Sequence, residues 1–429
     1  MPVNCRQGCM LSWKCWGVRE LTEIIPWQTA NLMKGLMADY YKQGAEAKEK
    51  GIPVAWVTAV FPVEIVYAAG LFPFYPENFG AVAAARKMAH TLSSVAEAKG
   101  YAHDLCAYAR CGLGDAHSKE HPLGEIVRPD LLLCCNTQCG SLSKWFEVAG
   151  RFYQAPYFLL DAPQIGMEPE ALSKKYFTAQ LQELIAFLED YSGNKFDYDR
   201  LREVMGYANE ACRLWNEILE AAALKPAPFG FFDACIHMAP IVTLRGTPQA
   251  VDYYRALQRE LEDRLVKNIF AIKDERYKLY FDHIPLWPKM RWFSELCASH
   301  NALVVVSQYT HSWAYQFDLD RPLESLAENY TEEFVNRVFD YRAQRMLKLM
   351  RQYDVSGFIL FSNRSCKPNA FGLYDTKNIL SSKTGLPGVV FEADMSDLRF
   401  FSEAQVLAKL EPFFEQIESN QRRGGCAPL

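Results

Sequence analysis

A strand–helix–strand unit that occurs twice in the chain constrains its fold more than any other feature. The first copy runs from the apolar stretch DLLLCCNTQCG through a helical segment and Pro156 to the apolar stretch YFLLD. The second copy runs from GFILFSNRSCK through another helical segment to GLPGVVFEAD. In each copy a cysteine, Cys139 or Cys366, follows the first stretch, and the second stretch ends on an aspartate. A unit of this kind predicts a parallel sheet.

Further apolar runs place similar strands in both halves of the chain. Buried strands are predicted in GIPVAWVTAVFP and at 130–135 and 157–161, and again at 302–309, 357–363 and 388–394. Residues 27–50 predict a helix, and the stretch from about 165 to 285 shows amphipathic helical patterns without a strand-like run. We therefore expect an α/β protein with two Rossmann- or flavodoxin-like parallel-sheet domains and a helical domain between them. The expected limits are 1–50 for an N-terminal helical extension, 51–165 and 291–429 for the α/β domains, and 166–290 for the helical domain.

The bulk properties exclude several classes of function. The net charge of −5 lacks the basic excess of a nucleic-acid-binding protein. No apolar run approaches the ~20 residues that span a bilayer, and the N-terminus lacks the pattern of a secretory signal. We therefore expect a cytoplasmic protein without a membrane or nucleic-acid partner. In a reducing compartment its 13 cysteines indicate buried thiols or a metal site rather than disulfides.

The positions of three cysteines point to one shared site. Open parallel sheets bind ligands at the carboxyl ends of their strands, so two facing sheets would bring Cys139 and Cys366 to one cleft. Cys106 follows His103 and Asp104 and opens a predicted helix, where a helix N-terminus favours the thiolate needed for ligation. The chain contains no C-x-x-C pair, which argues against a small zinc knuckle. The alternative is two unrelated strand–helix corners with ordinary buried thiols.

Four segments carry a resemblance to a known family. They are GIPVAWVTAVFPVEIVYAAGLFPFYPEN, HDLCAYAR, PDLLLCCNTQCGSLSKWFE and SGFILFSNRSCKPNAFG, the last continued by GLPGVVFEADMSD. With them the chain resembles the 2-hydroxyacyl-CoA dehydratase / benzoyl-CoA reductase family. The resemblance implies a [4Fe–4S] cluster with three cysteine ligands and one open or non-cysteine site. The matching residues are Cys106, Cys139 and Cys366, with Cys135 as an alternative to Cys139.

The resemblance also implies the reaction and supplies a glutamate motif, and two residues are candidate proton donors, His103 because it stands three residues before Cys106. The family's P-x-E glutamate falls on Glu64, our first candidate proton donor, and His103 is the second. Each residue also has a non-catalytic interpretation. Glu64 could be a carboxylate that the dipole of a helix N-terminus favours, and His103 could be an orienting or capping residue. Within the family, these segments are most similar to the substrate-reducing, B-type subunit of ATP-dependent benzoyl-CoA reductase. That enzyme is an oxidoreductase that dearomatises an aryl-CoA thioester.

That resemblance implies partners as well as a substrate. A homologous second subunit would pair with this chain, and a separate ATP-hydrolysing activator would supply low-potential electrons. The chain has no G-x-x-x-x-G-K-[ST] loop, which agrees with ATP binding elsewhere. Three alternatives stay open: a subunit of a 2-hydroxyacyl-CoA dehydratase, a non-catalytic or electron-relay partner, and a double-cubane cluster reductase.

Three further groups of residues have weaker interpretations. Cys5, Cys9 and Cys15 have no counterpart in the resemblance and predict either a second metal site or a thiol-rich tail. A set of arginines on the helical middle could meet the phosphates of coenzyme A or form a solvated face; they are Arg245, Arg255 and Arg259. A set of aromatic residues in the first α/β domain could wall a pocket or lie in the core; they are Trp56, Phe61, Phe72, Phe74 and Tyr75.

Overall fold

A computed structural model gives the fold and describes residues 25–422. Two four-stranded sheets, each parallel throughout, form its framework. The predicted α/β architecture with two parallel-sheet domains and helices is confirmed. The predicted domain limits stay a prediction, and Cys5, Cys9 and Cys15 lie outside the described residues.

The first sheet contains β1 (Val54–Val57), β2 (Phe72–Phe74), β3 (Leu131–Cys135) and β4 (Tyr157–Leu160) in the order β2-β1-β3-β4. The second contains β5 (Tyr277–Asp282), β6 (Ala302–Val306), β7 (Gly357–Asn363) and β8 (Gly388–Ala393) in the order β6-β5-β7-β8. The two orders are equivalent, so the repeat seen in the sequence is a repeat of topology. In each sheet the strand order reverses between the first and third strands, where open α/β sheets bind ligands.

Seventeen α-helices surround and connect the sheets in the described part of the chain. They are α1 (Thr29–Glu49), α2 (Val63–Ala68), α3 (Pro76–Ala85), α4 (Ala89–Ala98), α5 (Ala107–His117), α6 (Gly140–Tyr153), α7 (Ala171–Ser192), α8 (Tyr198–Glu220), α9 (Phe231–His237), α10 (Ala239–Thr243), α11 (Pro248–Val266), α12 (Met290–Ser299), α13 (Pro322–Thr331), α14 (Phe339–Gln352), α15 (Lys367–Ala370), α16 (Leu373–Thr384) and α17 (Glu403–Arg422). Short 3₁₀ turns lie at Ala221–Ala223, Trp287–Lys289, Phe334–Asn336 and Leu398–Phe400. Among residues 25–422, no helix has the length and apolar character needed to cross a bilayer.

Two strands lie where the sequence patterns predict none. Strand β2 is only three residues long and contains Pro73, which an edge strand tolerates because its outer backbone groups need no sheet partner. Strand β5 lies inside the stretch predicted to be helical. Lys278 interrupts its apolar pattern, yet this side chain is buried and its Nζ donates to the carbonyls of Ala222, Ala223 and Leu224 at 2.7–3.1 Å.

A buried ion cluster fastens the first half of the molecule to the second. The guanidinium of Arg110, in α5, lies 3.1 Å from Asp397 Oδ2 and 3.6 Å from Asp394 Oδ2, both beyond the end of β8. The side chains of Arg110, Asp394 and Asp397 are fully buried. Arg110 also donates a hydrogen bond to Glu97 at 2.8 Å. Close packing supports this arrangement, since a Cβ on Gly114 would lie 1.9 Å from the carbonyl oxygen of Leu92 in α4. The ion cluster thereby joins α5, which follows Cys106, to the segment after β8.

Candidate functional site

A cavity of about 590 Å³ lies where the carboxyl ends of both sheets meet the helical middle. Cys106, Cys139 and Cys366 all line it, so the structure brings the three predicted cysteines together. They also differ from the other thiols in the described part of the chain. Of nine cysteines there, these three are half-buried and the other six are fully buried.

Each of the three cysteines is the N-cap residue of a helix. Cys106 precedes α5, Cys139 precedes α6 and Cys366 precedes α15. Backbone N–H groups of the first helical turn lower the pKa of each thiol: those of Ala109 for Cys106, of Leu142 and Ser141 for Cys139, and of Asn369 for Cys366. An N-cap normally carries an oxygen acceptor, so a thiol there places its sulfur among polarised N–H groups.

Burial nevertheless dominates the protonation of these thiols. It raises the pKa of Cys106 well above its ordinary value, raises that of Cys139, and raises that of Cys366 to about 12. A nearby second thiolate adds to the shift, since Cys139 raises the pKa of both Cys106 and Cys366. Three thiolates in one cavity therefore need a positively charged centre between them. Three sulfur donors with N–H groups behind them fit an iron–sulfur cluster by their chemistry.

A single metal ion fits this site less well. Among residues 25–422, no three His, Cys, Asp or Glu side chains are grouped closely enough to hold one ion. A cluster has its own extent, so its ligands stand farther apart than those of a lone ion. The cluster implied by the resemblance therefore stays a prediction for these three cysteines.

The remaining candidate thiols lie in different surroundings. Cys135 is fully buried in β3, where its sulfur accepts a hydrogen bond from Thr137 Oγ1 at 3.3 Å. It does not line the cavity within the described part of the chain, whereas Cys139 does. Cys235, which sequence reasoning did not single out, lines the cavity from α9.

Glu64 lies in a buried ion pair rather than in the cavity wall. Its Oε1 accepts from Arg245 Nε and its Oε2 accepts from Tyr330 Oη, each at 2.9 Å. All three side chains are fully buried, and Tyr330 also donates to the Phe61 carbonyl at 2.8 Å. The lining residues from the described part of the chain do not include Glu64. The structure places Glu64 in an ion pair, and its role as a proton donor stays a prediction.

His103 also lies away from the cavity. It is exposed on the segment before α5, and its ring stacks on Phe400 with the centroids 6.0 Å apart. It is not among the described residues that line the cavity. This position favours the alternative of an orienting surface residue.

Two buried carboxyl groups that sequence reasoning missed do line the cavity. Glu77, in the first turn of α3, accepts from the Ala59 backbone at 2.7 Å and from Gln138 Nε2 at 3.2 Å. Glu333 lies before the turn Phe334–Asn336 and accepts from Ser312. Burial raises the pKa of each to about 7. Both groups can therefore hold or release a proton near neutral pH.

The pKa of Glu333 predicts a pH-dependent stability. Burial raises it from 4.5 to about 7, against the lowering effect of Arg345 and Arg245 and of the Ser312 and Phe334 hydrogen bonds. The folded state therefore binds the extra proton between about pH 4.5 and 7, and stability falls as pH rises through that window. Glu333→Gln mimics the neutral carboxyl, so urea unfolding at pH 5, 6, 7 and 8 should show a smaller loss of stability with pH in this variant. Equal pH dependence in both proteins would contradict this reading of Glu333.

The walls of the cavity are apolar and its mouth is basic. Five methionines line it: Met33, Met37, Met238, Met290 and Met395. Six aromatic residues also line it: Tyr41, Tyr108, Trp287, Tyr309, Trp313 and Phe334. The exposed side chains of Lys34 and Arg86 lie on the α1 and α3 side. The aromatic residues proposed from the sequence form the core instead, where Trp56, Phe61, Phe74 and Tyr75 are at most 1% exposed.

The arginines of the helical middle do not reach the cavity in the described part of the chain. Arg245 is the buried partner of Glu64, and exposed Arg255 pairs with Glu210 at 3.2 Å. Arg259 is exposed on α11. The basic groups at the cavity are therefore Lys34 and Arg86.

Comparison with known proteins identifies the family. Residues 58–417 match the family described as 2-hydroxyglutaryl-CoA dehydratase, D-component. The chain belongs to this family. The match covers seven of the eight strands, the helical middle and all three cavity cysteines, so the predicted resemblance is confirmed.

Several characterised relatives cover nearly the whole chain. The (R)-2-hydroxyisocaproyl-CoA dehydratase alpha subunit of Clostridioides difficile is 32% identical, over 91% of this chain and 96% of that protein. The (R)-phenyllactyl-CoA dehydratase alpha subunit of Clostridium sporogenes is 31% identical, over 85% and 90%. The B subunit of the benzoyl-CoA reductase of Thauera aromatica is 29% identical, over 94% and 98%. Both reaction types that the sequence motifs suggested are thus found among its relatives.

Proposed function

We propose that this chain is the cluster-bearing catalytic subunit of an enzyme that acts on a CoA thioester. Cys106, Cys139 and Cys366 would hold a [4Fe–4S] cluster with one position open to the substrate. The observation that carries this proposal is the convergence of three half-buried, N-capping cysteines on one apolar cavity. When bound, such a cluster would supply single electrons at low potential.

The residues around the thiols supply what one-electron chemistry requires. The methionine and aromatic walls exclude water from a reactive intermediate. Glu77 and Glu333 place two carboxyl groups in that apolar space, and the pKa of about 7 lets each exchange a proton near neutral pH. The cavity therefore combines apolar walls with two carboxyl groups that can transfer protons.

Two reactions fit these groups, and the first is dehydration of a 2-hydroxyacyl-CoA, the reaction named for four of the relatives. Removal of water needs a proton delivered to the leaving hydroxyl and another taken from the neighbouring carbon, which two carboxyl groups can share. Three dehydratase alpha subunits are 31–32% identical to this chain and a fourth is 25% identical, against 29% for the benzoyl-CoA reductase chain. The second candidate is the aryl-CoA reduction predicted from the sequence, and the aromatic cavity wall supports it.

Electron counting separates the two reactions. Dehydration leaves the overall oxidation state of the substrate unchanged, so one reductive activation should serve many turnovers. Ring reduction consumes two electrons and two protons for every product. Under anaerobic conditions, the assembled complex should be given a limiting reductant with either phenyllactyl-CoA or benzoyl-CoA. Many enoyl products per electron would support the dehydratase, and one reduced ring per two electrons would support the reductase.

The proposal includes partners. Relatives are named as alpha or B subunits, which supports an assembly with a homologous second subunit. A separate ATP-hydrolysing activator would deliver the electrons, and the lack of a G-x-x-x-x-G-K-[ST] loop in this sequence agrees with that division of labour.

The basic mouth predicts where the phosphates of coenzyme A bind. Lys34 and Tyr41 lie seven residues apart on one face of α1, and Arg86 is close enough to lower the pKa of Tyr41. Lys34→Gln and Arg86→Gln should each raise KM for the acyl-CoA about tenfold with little change in kcat, because each removes one charge-assisted phosphate contact. Steady-state kinetics of the assembled complex measures both constants.

Two controls sharpen that experiment. Lys42→Gln removes a cation from the same helix whose side chain is 73% exposed and pairs with Glu46, so KM should not change. A short pantetheine thioester without phosphates should show no difference between wild type and Lys34→Gln. A tenfold effect on this truncated substrate would mean that Lys34 acts on the cavity rather than on phosphate.

A further inference from the structure

Cys366 differs from the other two cavity cysteines in the helix that it caps. Cys106 and Cys139 precede helices of 11 and 14 residues, whereas Cys366 precedes α15, which has four. A helix of one turn has almost no macrodipole, since the effect depends on many aligned peptide units. The sulfur of Cys366 therefore needs support from another source.

Two side chains supply that support. The amide nitrogen Nδ2 of Asn369 donates to Cys366 Sγ at 3.8 Å. Arg342, in α14, donates from Nη2 to Asn369 Oδ1 at 3.0 Å and from Nη1 to the Pro368 carbonyl at 2.9 Å. Asn369 is only 7% exposed, and both Pro368 and Asn369 line the cavity.

The contact with Arg342 determines which end of the amide faces the sulfur. A guanidinium only donates, so the group opposite it must be the amide oxygen. The NH₂ group of Asn369 is thereby directed at Cys366. The backbone N–H of the same residue also supports this thiol, so Asn369 contributes two donors to one sulfur.

We propose that Asn369, oriented by Arg342, is a positioning residue that donates a hydrogen bond to the Cys366 sulfur and raises the reduction potential of the cluster. This inference rests on the proposed cluster and assigns the pair a role within it. Hydrogen bonds to ligand sulfur stabilise the more negative, reduced state of a cluster. The positive charge of Arg342, which lies behind Asn369 as seen from the sulfur, acts in the same direction.

The test is an EPR-monitored redox titration of the anaerobic complex. Asn369→Leu keeps the approximate volume and removes the N–H donor, so the midpoint potential should become more negative while iron content stays at the wild-type level. Arg342→Met should shift the potential in the same direction, because Asn369 loses its orientation. The double variant should shift less than the sum of the two single variants, since both act through one hydrogen bond.

Asn136→Leu is a control from the first copy of the repeat. Asn136 lies three residues before Cys139, whereas Asn369 lies three residues after Cys366, and the Asn136 amide donates to Asp161 rather than to a thiol. Its replacement should leave the midpoint potential unchanged.

The outcomes distinguish this inference from the proposed function. Wild-type iron content with an unchanged potential in Asn369→Leu and Arg342→Met would overturn the positioning role and leave the cluster intact. Wild-type protein without iron would overturn both. Loss of iron in Asn369→Leu with an unchanged melting temperature would show that the hydrogen bond is needed to hold the ligand, which contradicts a pure tuning role.

Discussion

Replacement of Cys106, Cys139 or Cys366 by serine is expected to abolish iron binding, and with it activity. A serine hydroxyl stays protonated in conditions where a thiolate can form, and it is a harder, poorer ligand for iron in a sulfide cluster. Each of the three thiols lines the same cavity, so each loss leaves two donors. Iron and acid-labile sulfide per chain, measured on anaerobically purified protein, should fall to background in all three variants.

Two other cysteines provide matched controls for this experiment. Cys135 is buried in β3 beside Thr137, and Cys235 lines the cavity from α9. Cys135→Ser and Cys235→Ser should retain wild-type iron. Loss of iron in Cys135→Ser but not in Cys139→Ser would reverse the choice between these two residues. Loss of iron in Cys235→Ser would indicate that Cys235 is a fourth cysteine ligand. The cluster would then have no position open to the substrate.

Arg245→Met is expected to destabilise the fold by about 3–5 kcal/mol, because it leaves the carboxylate of Glu64 buried without its charged partner. This ion pair joins α2 to the segment before α11, and Tyr330 of α13 completes it at 2.6 Å from Arg245 Nη2. Urea unfolding at neutral pH measures the change in unfolding free energy. The double variant Glu64→Gln/Arg245→Met should lose less than the sum of the single losses, since the two residues share one interaction.

An exposed arginine gives the comparison for this prediction. Arg255 pairs with Glu210 with 51% of its side chain exposed, so Arg255→Met should change the unfolding free energy by no more than about 1 kcal/mol. The same series tests the proton-donor role predicted for Glu64. A Glu64→Gln variant with wild-type stability and no activity would support that role, whereas lower stability with residual activity would support a structural role in the ion pair.

Sequence patterns were sufficient for the parts of the fold that repeat. Strand β7 has the predicted bounds 357–363, and the duplicated unit correctly indicated that Cys139 and Cys366 would meet. Strand β5 escaped prediction because Lys278 resembles a solvent-facing residue until the three carbonyls around its amine are known. A contact of this kind joins residues more than 50 positions apart, so no local pattern contains it.

The buried acids illustrate the same limit within the site. Glu64 follows Pro62 in the P-x-E motif, and Pro76–Glu77 occurs a short way downstream in the sequence. Both glutamates occupy the first turn of a helix, so local sequence cannot tell them apart. Only tertiary structure shows that Arg245 neutralises Glu64 whereas Glu77 faces the cavity. The Pro76–Glu77 pair was the sequence feature from which Glu77 could have been proposed as a site residue.

The most direct test of the proposed cluster is the iron and sulfide content of the wild-type chain, purified without air and measured together with EPR of the reduced protein. We predict about four irons and four sulfides per chain with the signal of a single cluster, as three cysteines around one open position require. About eight irons would indicate the double-cubane alternative. No iron would contradict the central claim, and the three cavity cysteines would then be ordinary thiols at helix N-termini.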